Sequence, residues 1–167
     1  MGILIYARYF VCVPLKFLSP TVPLAITARG IFFGGNMKRT QAREQAFSIL
    51  FSDCFGSQSA EELIDNATAA QEYESDEYSL LLITGVKDNE EKIDEVISAN
   101  LNKGWKIGRL PKTTLAILRI AIFEIMFLDD VPDSVSVNEA VELAKKFGSQ
   151  NDYVFVNGLL GSVVRSK

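Results

Sequence analysis

The order of hydrophobic and polar residues after residue 36 predicts a protein built from helices. Apolar side chains recur every three or four residues through most of this part, a period that places them on one face of a helix. No stretch alternates convincingly between apolar and polar residues, as a half-buried strand would. The sequence therefore predicts the all-α class, with a compact bundle of about six to seven helices around one core.

Two signals delimit the first two predicted helices. The first helix is expected over residues 40–55, because an apolar stripe runs through it and Gly56 follows as a stop. Ser59 and Glu62 form a capping box, in which each side chain can bond the backbone N–H of the other residue. The second helix is therefore expected over residues 60–72.

A long third helix is expected over residues 76–102. Ser75 precedes two acidic residues that suit the positive end of a helix dipole, and Asp76 is the first of them. Gly85 lies beside the apolar stripe, where a missing side chain would let another helix approach closely. The polar stretch 87–92 leaves open the alternative that the helix breaks there.

Three more helices complete the predicted bundle. Pro111 suits the first turn of a fourth helix, which is apolar on nearly every side and is therefore expected at the centre of the bundle. Ser136 and Glu139 repeat the capping-box pattern and predict the start of a fifth helix. Ser149 or Asn151 is expected to cap the last helix.

The composition changes abruptly at Met37. Residues 1–36 contain no acidic residue, whereas residues 37–167 hold all 21 acidic residues and 14 of the 17 basic ones. The formal charge is +3 for the leader, residues 1–36, and −7 for the body, residues 37–167. This difference predicts a boundary at Met37, with one helical domain after it.

Three interpretations of the leader remain open. It could be translated upstream sequence, because Gly34, Gly35 and Asn36 can be encoded as a purine-rich ribosome-binding site ahead of an ATG for Met37. A dispensable tail and a targeting segment are the alternatives, although Lys16 interrupts the apolar stretch that a secretory signal or a membrane anchor requires. We expect the leader to be disordered or translated upstream sequence. The codons of the gene would test whether it is translated upstream sequence.

The composition of the body argues against catalysis and metal binding. The chain has no His, which is the commonest general base and the commonest metal ligand. Cys54 is the only cysteine of the body, so an internal disulfide is excluded there, and a reduced, cytoplasmic setting follows as the default. We therefore expect no enzyme activity, no cofactor and no membrane span.

The first candidate for binding chemistry is a basic cluster at the start of the first predicted helix, formed by Lys38, Arg39 and Arg43. Phosphates favour such a place, because free backbone N–H groups and the helix dipole attract anions there. Arginine can also hold a phosphate with two parallel hydrogen bonds. The alternative is that these residues form an ordinary solvated surface.

The second candidate is the joint between the third and fourth predicted helices. It contains Lys103, Lys106, Arg109 and Lys112, interleaved with Trp105. An aromatic ring among basic residues could stack on the bases of single-stranded RNA while the charges neutralise its phosphates. We favour the alternative that Trp105 fills the core at a helix joint.

Arg119 and Glu124 lie within the most apolar predicted helix. A buried charge needs a partner, so we expect structural ion pairs with neighbouring residues or with Glu139. A direct role in ligand binding is the alternative. Asn138 and Glu139 are otherwise explained by helix capping.

Four segments, in this order, resemble the family of the bacterial transcription antitermination factor NusB: REQAFSILF, LRIAIFEI, VSVNEAVELAKKFG and FVNGLLGSV. The resemblance covers residues 37–167 and none of the leader. It implies an all-helical fold of two packed three-helix halves. It also implies binding to the single-stranded boxA element of ribosomal RNA leaders, together with the ribosomal small-subunit protein NusE, in the antitermination complex on RNA polymerase.

The resemblance assigns roles to five residues. Lys38, Arg39 and Arg43 correspond to the basic start of the family, which contacts RNA. Phe51 and Thr114 fall where the family meets NusE. Some relatives carry a denser arginine run, and the body here is net acidic, so we expect RNA affinity to depend on a localised basic patch and on the partner.

Two other functions remain to be distinguished from RNA-binding antitermination. An acidic helical adaptor would bind only protein and make no direct RNA contact. A related domain also begins some ribosomal RNA cytosine methyltransferases, which carry a catalytic domain after it. We expect this chain to lack such a domain, because the sequence ends at Lys167.

Overall fold

The structure is a computed structural model that describes residues 37–167, apart from residues 55, 57, 71 and 75. This part contains one short 3-10 helix, Ile107–Arg109, and no strand. Its seven α-helices are α1 (Arg39–Asp53), α2 (Ala60–Ala69), α3 (Glu77–Asp88), α4 (Glu90–Asn100), α5 (Lys112–Phe127), α6 (Asp133–Phe147) and α7 (Asp152–Ser166). The predicted all-α class is therefore confirmed. The expectations for the leader and for Ser75 lie outside the described residues.

The capping box at the start of α2 is present as predicted. The backbone N–H of Glu62 donates to Ser59 Oγ over 3.2 Å, and the N–H of Ser59 donates to Glu62 Oε2 over 3.0 Å. The helix ends at Ala69, before the predicted residue 72. The N–H of Glu72 donates instead to the carbonyl of Ala67, and this bond across five residues turns the chain out of the helix.

The predicted third helix is two helices, because the chain breaks at Asn89. This residue has φ −117° and ψ 17°, outside the helical region. Its side-chain amide donates to the carbonyl of Gly85 over 2.9 Å and so satisfies an acceptor at the end of α3. The alternative break within residues 87–92 is thus correct. Asp76 caps α3, since Oδ2 accepts from the backbone N–H of Tyr78 and Ser79.

Helix α5 lies at the centre of the bundle, as its apolar sequence predicts. It packs against α1, α3, α4, α6 and α7, and its side chains are buried on nearly every side. Gly85 on α3 faces it, and a Cβ atom there would lie only 2.0 Å from the Phe123 ring. Within the described residues, none of the helices has the length and apolar character needed to span a bilayer.

The predicted starts of the last two helices are only partly correct. Helix α6 begins at Asp133, after Pro132, so Ser136 lies inside its first turn and the predicted capping box is wrong. The Ser136 side chain is buried instead, and its Oγ has no hydrogen-bond partner among the described residues. Asn151 immediately precedes α7, but neither its side chain nor that of Ser149 caps the helix in the described part of the chain.

Candidate nucleic-acid interface

The N-terminal end of α1 presents two basic side chains to solvent. Lys38 immediately precedes the helix and Arg39 is its first residue, and both are exposed. Lys38 has an extended backbone and a side chain that cannot accept a hydrogen bond, so the first N–H groups of α1 have no side-chain cap among the described residues. Exposed cations and uncapped N–H groups therefore coincide at this end of the helix, the combination that attracts phosphate.

Arg39 contacts an acidic and an aromatic side chain of the described residues. Its Nη2 lies 2.8 Å from Asp130 Oδ2, in the turn between α5 and α6. Its guanidinium also lies over the ring of Tyr78, with 4.9 Å between Cζ and the ring centroid. A cation over an aromatic face is attracted by the ring quadrupole, so Tyr78 orients Arg39 while leaving it half exposed.

Arg43 lies in the interior, and the prediction that it belongs to an exposed basic start is wrong. The residue is only 3% exposed. Its Nε donates to Glu124 Oε1 over 2.7 Å, and its Nη1 lies 3.3 Å from Glu139 Oε2. The helical period contains the signal for this burial, because position 43 shares the apolar stripe of α1 with Ala46, Phe47 and Leu50.

Tyr78 completes this buried cluster. Its hydroxyl donates to Glu124 Oε1 over 2.6 Å and accepts from Arg43 Nη2 over 3.2 Å. Burial and the hydrogen bond to Glu124 raise the pKa of Tyr78, so the phenol stays protonated and remains a donor. Burial by itself lowers the pKa of Arg43, but the bond to Glu124 and the nearby carboxylates outweigh it and raise that pKa. Arg43 therefore stays charged in the interior, paired with Glu124.

Arg119 forms a second structural cluster on the other side of α5. Its Nε and Nη2 donate to the two carboxylate oxygens of Asp94 over 2.9 and 2.7 Å, and Nη1 lies 2.9 Å from Glu90 Oε1. The predicted structural ion pairs of Arg119 and Glu124 are therefore confirmed. Glu139 pairs with Arg43 rather than capping α6, which corrects the capping interpretation.

No metal-binding cluster of three or more His, Cys, Asp or Glu occurs among the described residues.

Trp105 is exposed at the joint between α4 and α5, and the prediction that it fills the core is wrong. The side chain is 55% exposed, and its ring stacks on Phe155 of α7 with 6.3 Å between centroids and 28° between planes. Gly104 has φ +89°, a left-handed turn that carries the chain outward before Trp105. Leu110 fills the core at this corner instead.

The lysines of the joint flank this exposed ring along the chain. Lys103 and Lys106 are both exposed, and neither forms an ion pair with any acidic residue that the structure describes. Arg109 ends the 3-10 helix and is exposed as well. The joint thus combines a flat aromatic face with uncompensated positive charge, which suits stacked bases and their phosphates.

The two residues assigned to the protein partner have different environments. Phe51 is half-buried and stacks on Phe47 with centroids 5.9 Å apart, and Phe47 stacks in turn on Phe147 at 4.7 Å. This aromatic row reaches the surface at Phe147, which is 39% exposed. Thr114 is only 1% exposed, so the prediction that it meets a partner directly does not fit this conformation.

The sequence patterns did not point to three aromatic residues that the structure brings to these sites. Tyr78 supports Arg39, Phe155 supports Trp105, and Phe147 ends the aromatic row. Only Phe147 carried a local signal, since it ends α6 immediately before Gly148, where a large apolar residue is easily exposed. The two basic groups contact different elements, and no described contact joins them.

The described body matches one family over nearly its whole length. The family model of the NusB family matches residues 40–165. The chain belongs to the NusB family. A transcription antitermination protein NusB from Clostridium novyi is 38% identical over 134 residues, which cover 78% of this chain and all of that protein. The corresponding protein from Bacillus licheniformis is 44% identical over 127 residues, covering 76% of this chain and 96% of that protein.

Solved NusB structures are similar to this member of the NusB family. Thermotoga maritima NusB has a TM-score of 0.70 and 29% identity, and the match covers 78% of this chain and 93% of that one. A structure of the antitermination factors NusB and NusE in complex with double-stranded RNA includes a similar chain, with a TM-score of 0.68 and 25% identity. That match covers 78% of this chain and 100% of the other.

Proposed function

We propose that this protein is a cytoplasmic transcription antitermination factor without catalytic activity. It binds the single-stranded boxA element of ribosomal RNA leaders together with NusE, within the antitermination complex on RNA polymerase. Membership of the NusB family supports this function. The likeness to a chain from a complex of NusB, NusE and RNA supports the two partners.

The RNA part of the proposal is carried by one observation, the exposed aromatic face of the joint beside uncompensated lysines. Trp105 offers a flat surface backed by Phe155, and Lys103 and Lys106 precede and follow it. Stacking of a base on such a ring contributes about 1–3 kcal/mol and tolerates any base. Single-stranded RNA can splay its bases onto the ring, whereas a duplex keeps them stacked inside.

The start of α1 supplies a second RNA contact in this proposal. Lys38 and Arg39 are exposed at an uncapped helix N-terminus, where a phosphate is attracted by both the side chains and the helix dipole. Arg43 is left out of this contact because its guanidinium is buried against Glu124. Its role here is to support the helix that carries the two exposed residues.

NusE is proposed to bind along the aromatic row that begins at Phe51. The row of Phe51, Phe47 and Phe147 offers apolar area with an exposed end, which suits a protein interface. Thr114 is buried, so we leave it out of the contact with the partner. A localised RNA surface on an acidic body makes the partner necessary for tight RNA binding.

A protein-only adaptor is the second candidate function, and one observation favours it. No basic residue occurs between Arg43 and Lys87, whereas this stretch holds nine acidic residues. Six of them are exposed on or beside α2 and α3, namely Glu61, Glu62, Asp65, Glu72, Glu74 and Glu77. Such a surface repels RNA and attracts a basic protein.

Salt-dependent RNA binding, measured with and without NusE, tests the proposed function. The protein is titrated into labelled single-stranded boxA RNA, a shuffled RNA of equal length and a duplex. Trp105 is the only tryptophan of the chain, so its fluorescence reports directly on the joint. We expect boxA RNA to quench this fluorescence, and NusE to tighten binding.

Two single lysine variants provide a matched comparison for the same test. Lys106→Ala removes one charge beside Trp105, and we expect it to weaken RNA binding and lower the salt slope by about one unit. Lys92→Ala removes one charge from an exposed position on α4 and should leave both unchanged. If RNA neither quenches Trp105 nor binds with salt dependence while NusE still binds, the protein-only adaptor is the correct function.

A further inference from the structure

Arg39 is occupied by a carboxylate of its own chain in the free protein. Its Nη2 lies 2.8 Å from Asp130 Oδ2, although the two residues are 91 positions apart in the sequence. Lys38, one residue earlier, forms no ion pair with any acidic side chain in the described residues. The two exposed cations of the α1 start therefore differ. The charge of Arg39 is paired with a carboxylate, and that of Lys38 is not paired within the described residues.

The contact between Arg39 and Asp130 is of the kind that a phosphate can displace. The side chains are 52% and 61% exposed, so solvent and salt screen the attraction strongly. Asp130 accepts a hydrogen bond from one nitrogen of the guanidinium, Nη2. A phosphate could offer two oxygens to the same group and form two parallel bonds, which is the stronger arrangement.

Asp130 is not needed to orient Arg39, because Tyr78 already does so. The guanidinium lies 4.9 Å from the centroid of the Tyr78 ring, and the Tyr78 hydroxyl is anchored to Glu124. Arg39 is also the first residue of α1, so the helix sets the direction of its Cα–Cβ bond. With Asp130 removed, the ring and the helix would still hold Arg39 near its present place, while the negative charge beside the guanidinium would be lost.

We propose that Asp130 competes with RNA phosphate for Arg39 and so sets the affinity of the α1 start for RNA. This inference rests on the proposed RNA-binding function. In the free protein the carboxylate satisfies the guanidinium and keeps weak, non-specific phosphate contacts from forming. RNA that also engages the rest of the interface supplies enough binding energy to displace Asp130, so the competition discriminates against RNA that contacts the α1 start alone.

The chain offers a matched control for the test in the neighbouring residue Asp129. Asp129 is exposed in the same turn, carries the same charge, and forms no ion pair with a described residue. Asp129→Asn and Asp130→Asn therefore change the net charge equally, but only the second releases Arg39. Asparagine is also as compatible with a turn as aspartate, so both variants are expected to fold.

We expect Asp130→Asn to bind RNA about three- to tenfold more tightly at low salt, with the gain fading as salt rises. A shuffled RNA should gain more than boxA RNA does. Asp129→Asn should gain clearly less for either RNA, because it removes only general repulsion. Asp130→Ser should behave like Asp130→Asn and so guard against an effect specific to asparagine.

The same measurements in an Arg39→Ala background decide whether the carboxylate acts through the arginine. There the gain from Asp130→Asn should shrink to that of Asp129→Asn. The inference is overturned if Asp130→Asn lowers affinity, matches the Asp129 variant, or keeps its full gain without Arg39. Failure of the proposed RNA site is a separate result, because Arg39→Ala alone would then leave RNA affinity and its salt slope unchanged.

Discussion

Arg39 and Arg43 are the same residue type, one helical turn apart, and yet they have opposite environments. The Arg39 side chain is 52% exposed, whereas that of Arg43 is 4% exposed and enclosed by carboxylates. Both guanidinium groups lie within 6 Å of the Tyr78 ring, so a single side chain separates the interior from the surface. Basic residues near a helix start therefore cannot be treated as one binding patch.

The difference follows from the energetics of charge burial. Moving a guanidinium out of water costs several kcal/mol unless carboxylates and hydrogen bonds replace the solvent, and Glu124, Glu139 and Tyr78 do this for Arg43. Arg39 keeps most of its hydration, so its pair with Asp130 contributes little to stability. Arg43 therefore stabilises the fold, whereas Arg39 lies at the surface, where a ligand can reach it.

Replacement of Arg43 should have the largest effect on stability. We expect Arg43→Leu to lower the free energy of unfolding by about 3–5 kcal/mol, because Glu124 would remain buried without its cation. Urea denaturation followed by circular dichroism measures this. Arg39→Ala is the control from the neighbouring turn and should change the free energy of unfolding by less than about 0.5 kcal/mol. Equal losses in the two variants would refute the contrast between them.

Arg119 tests whether the degree of burial decides the size of that effect. Its carboxylate partners on α4 are about 30% exposed, so water can solvate them when the arginine is lost. We expect Arg119→Leu to lower the free energy of unfolding by about 1–3 kcal/mol, less than Arg43→Leu. The folded variant should still bind RNA and NusE. Normal stability combined with lost binding would make Arg119 a ligand residue.

Removal of both exposed cations should weaken RNA binding and leave stability nearly unchanged, whereas the loss of Arg43 should lower stability. We expect Lys38→Ala with Arg39→Ala to leave the free energy of unfolding within about 0.5 kcal/mol of the parent. The same change should weaken boxA binding and lower the salt slope by about two units, one for each lost phosphate contact. NusE binding without RNA should persist. An unchanged slope would show that the α1 start is only a solvated surface.

Deletion of the leader should have the smallest effect. We expect the protein that starts at Met37 to keep its melting temperature within a few degrees, because residues 1–36 lack the period and capping signals of a packed element. The backbone nitrogen of Met37 lies 3.3 Å from Asp76 Oδ1, so a new amino terminus there would face a carboxylate. A fall of more than about 5 °C in thermal denaturation, on the order of 1 kcal/mol, would show that the leader packs on the body.

Features that depend on residues a few positions apart were readable from the sequence. The capping box of Ser59 and Glu62 spans three positions, and both of its hydrogen bonds are present. The apolar run of α5 predicted a helix at the centre of the bundle, because a helix that is apolar on nearly every side must be surrounded by other helices. The burial of Arg43 was also available in principle, because the residue lies on the apolar stripe of α1.

Features that depend on distant partners were not readable in the same way. Asp130 reaches Arg39 across 91 positions, Glu124 reaches Arg43 across 81, and Asp94 reaches Arg119 across 25. The sequence predicted that the buried charges would be paired, but helix packing selected the partners, because many carboxylates on the chain were equally suitable. Trp105 is exposed for the same reason. Its large apolar ring suits a core, and only the turn at Gly104 and the position of Phe155 place the ring at the surface.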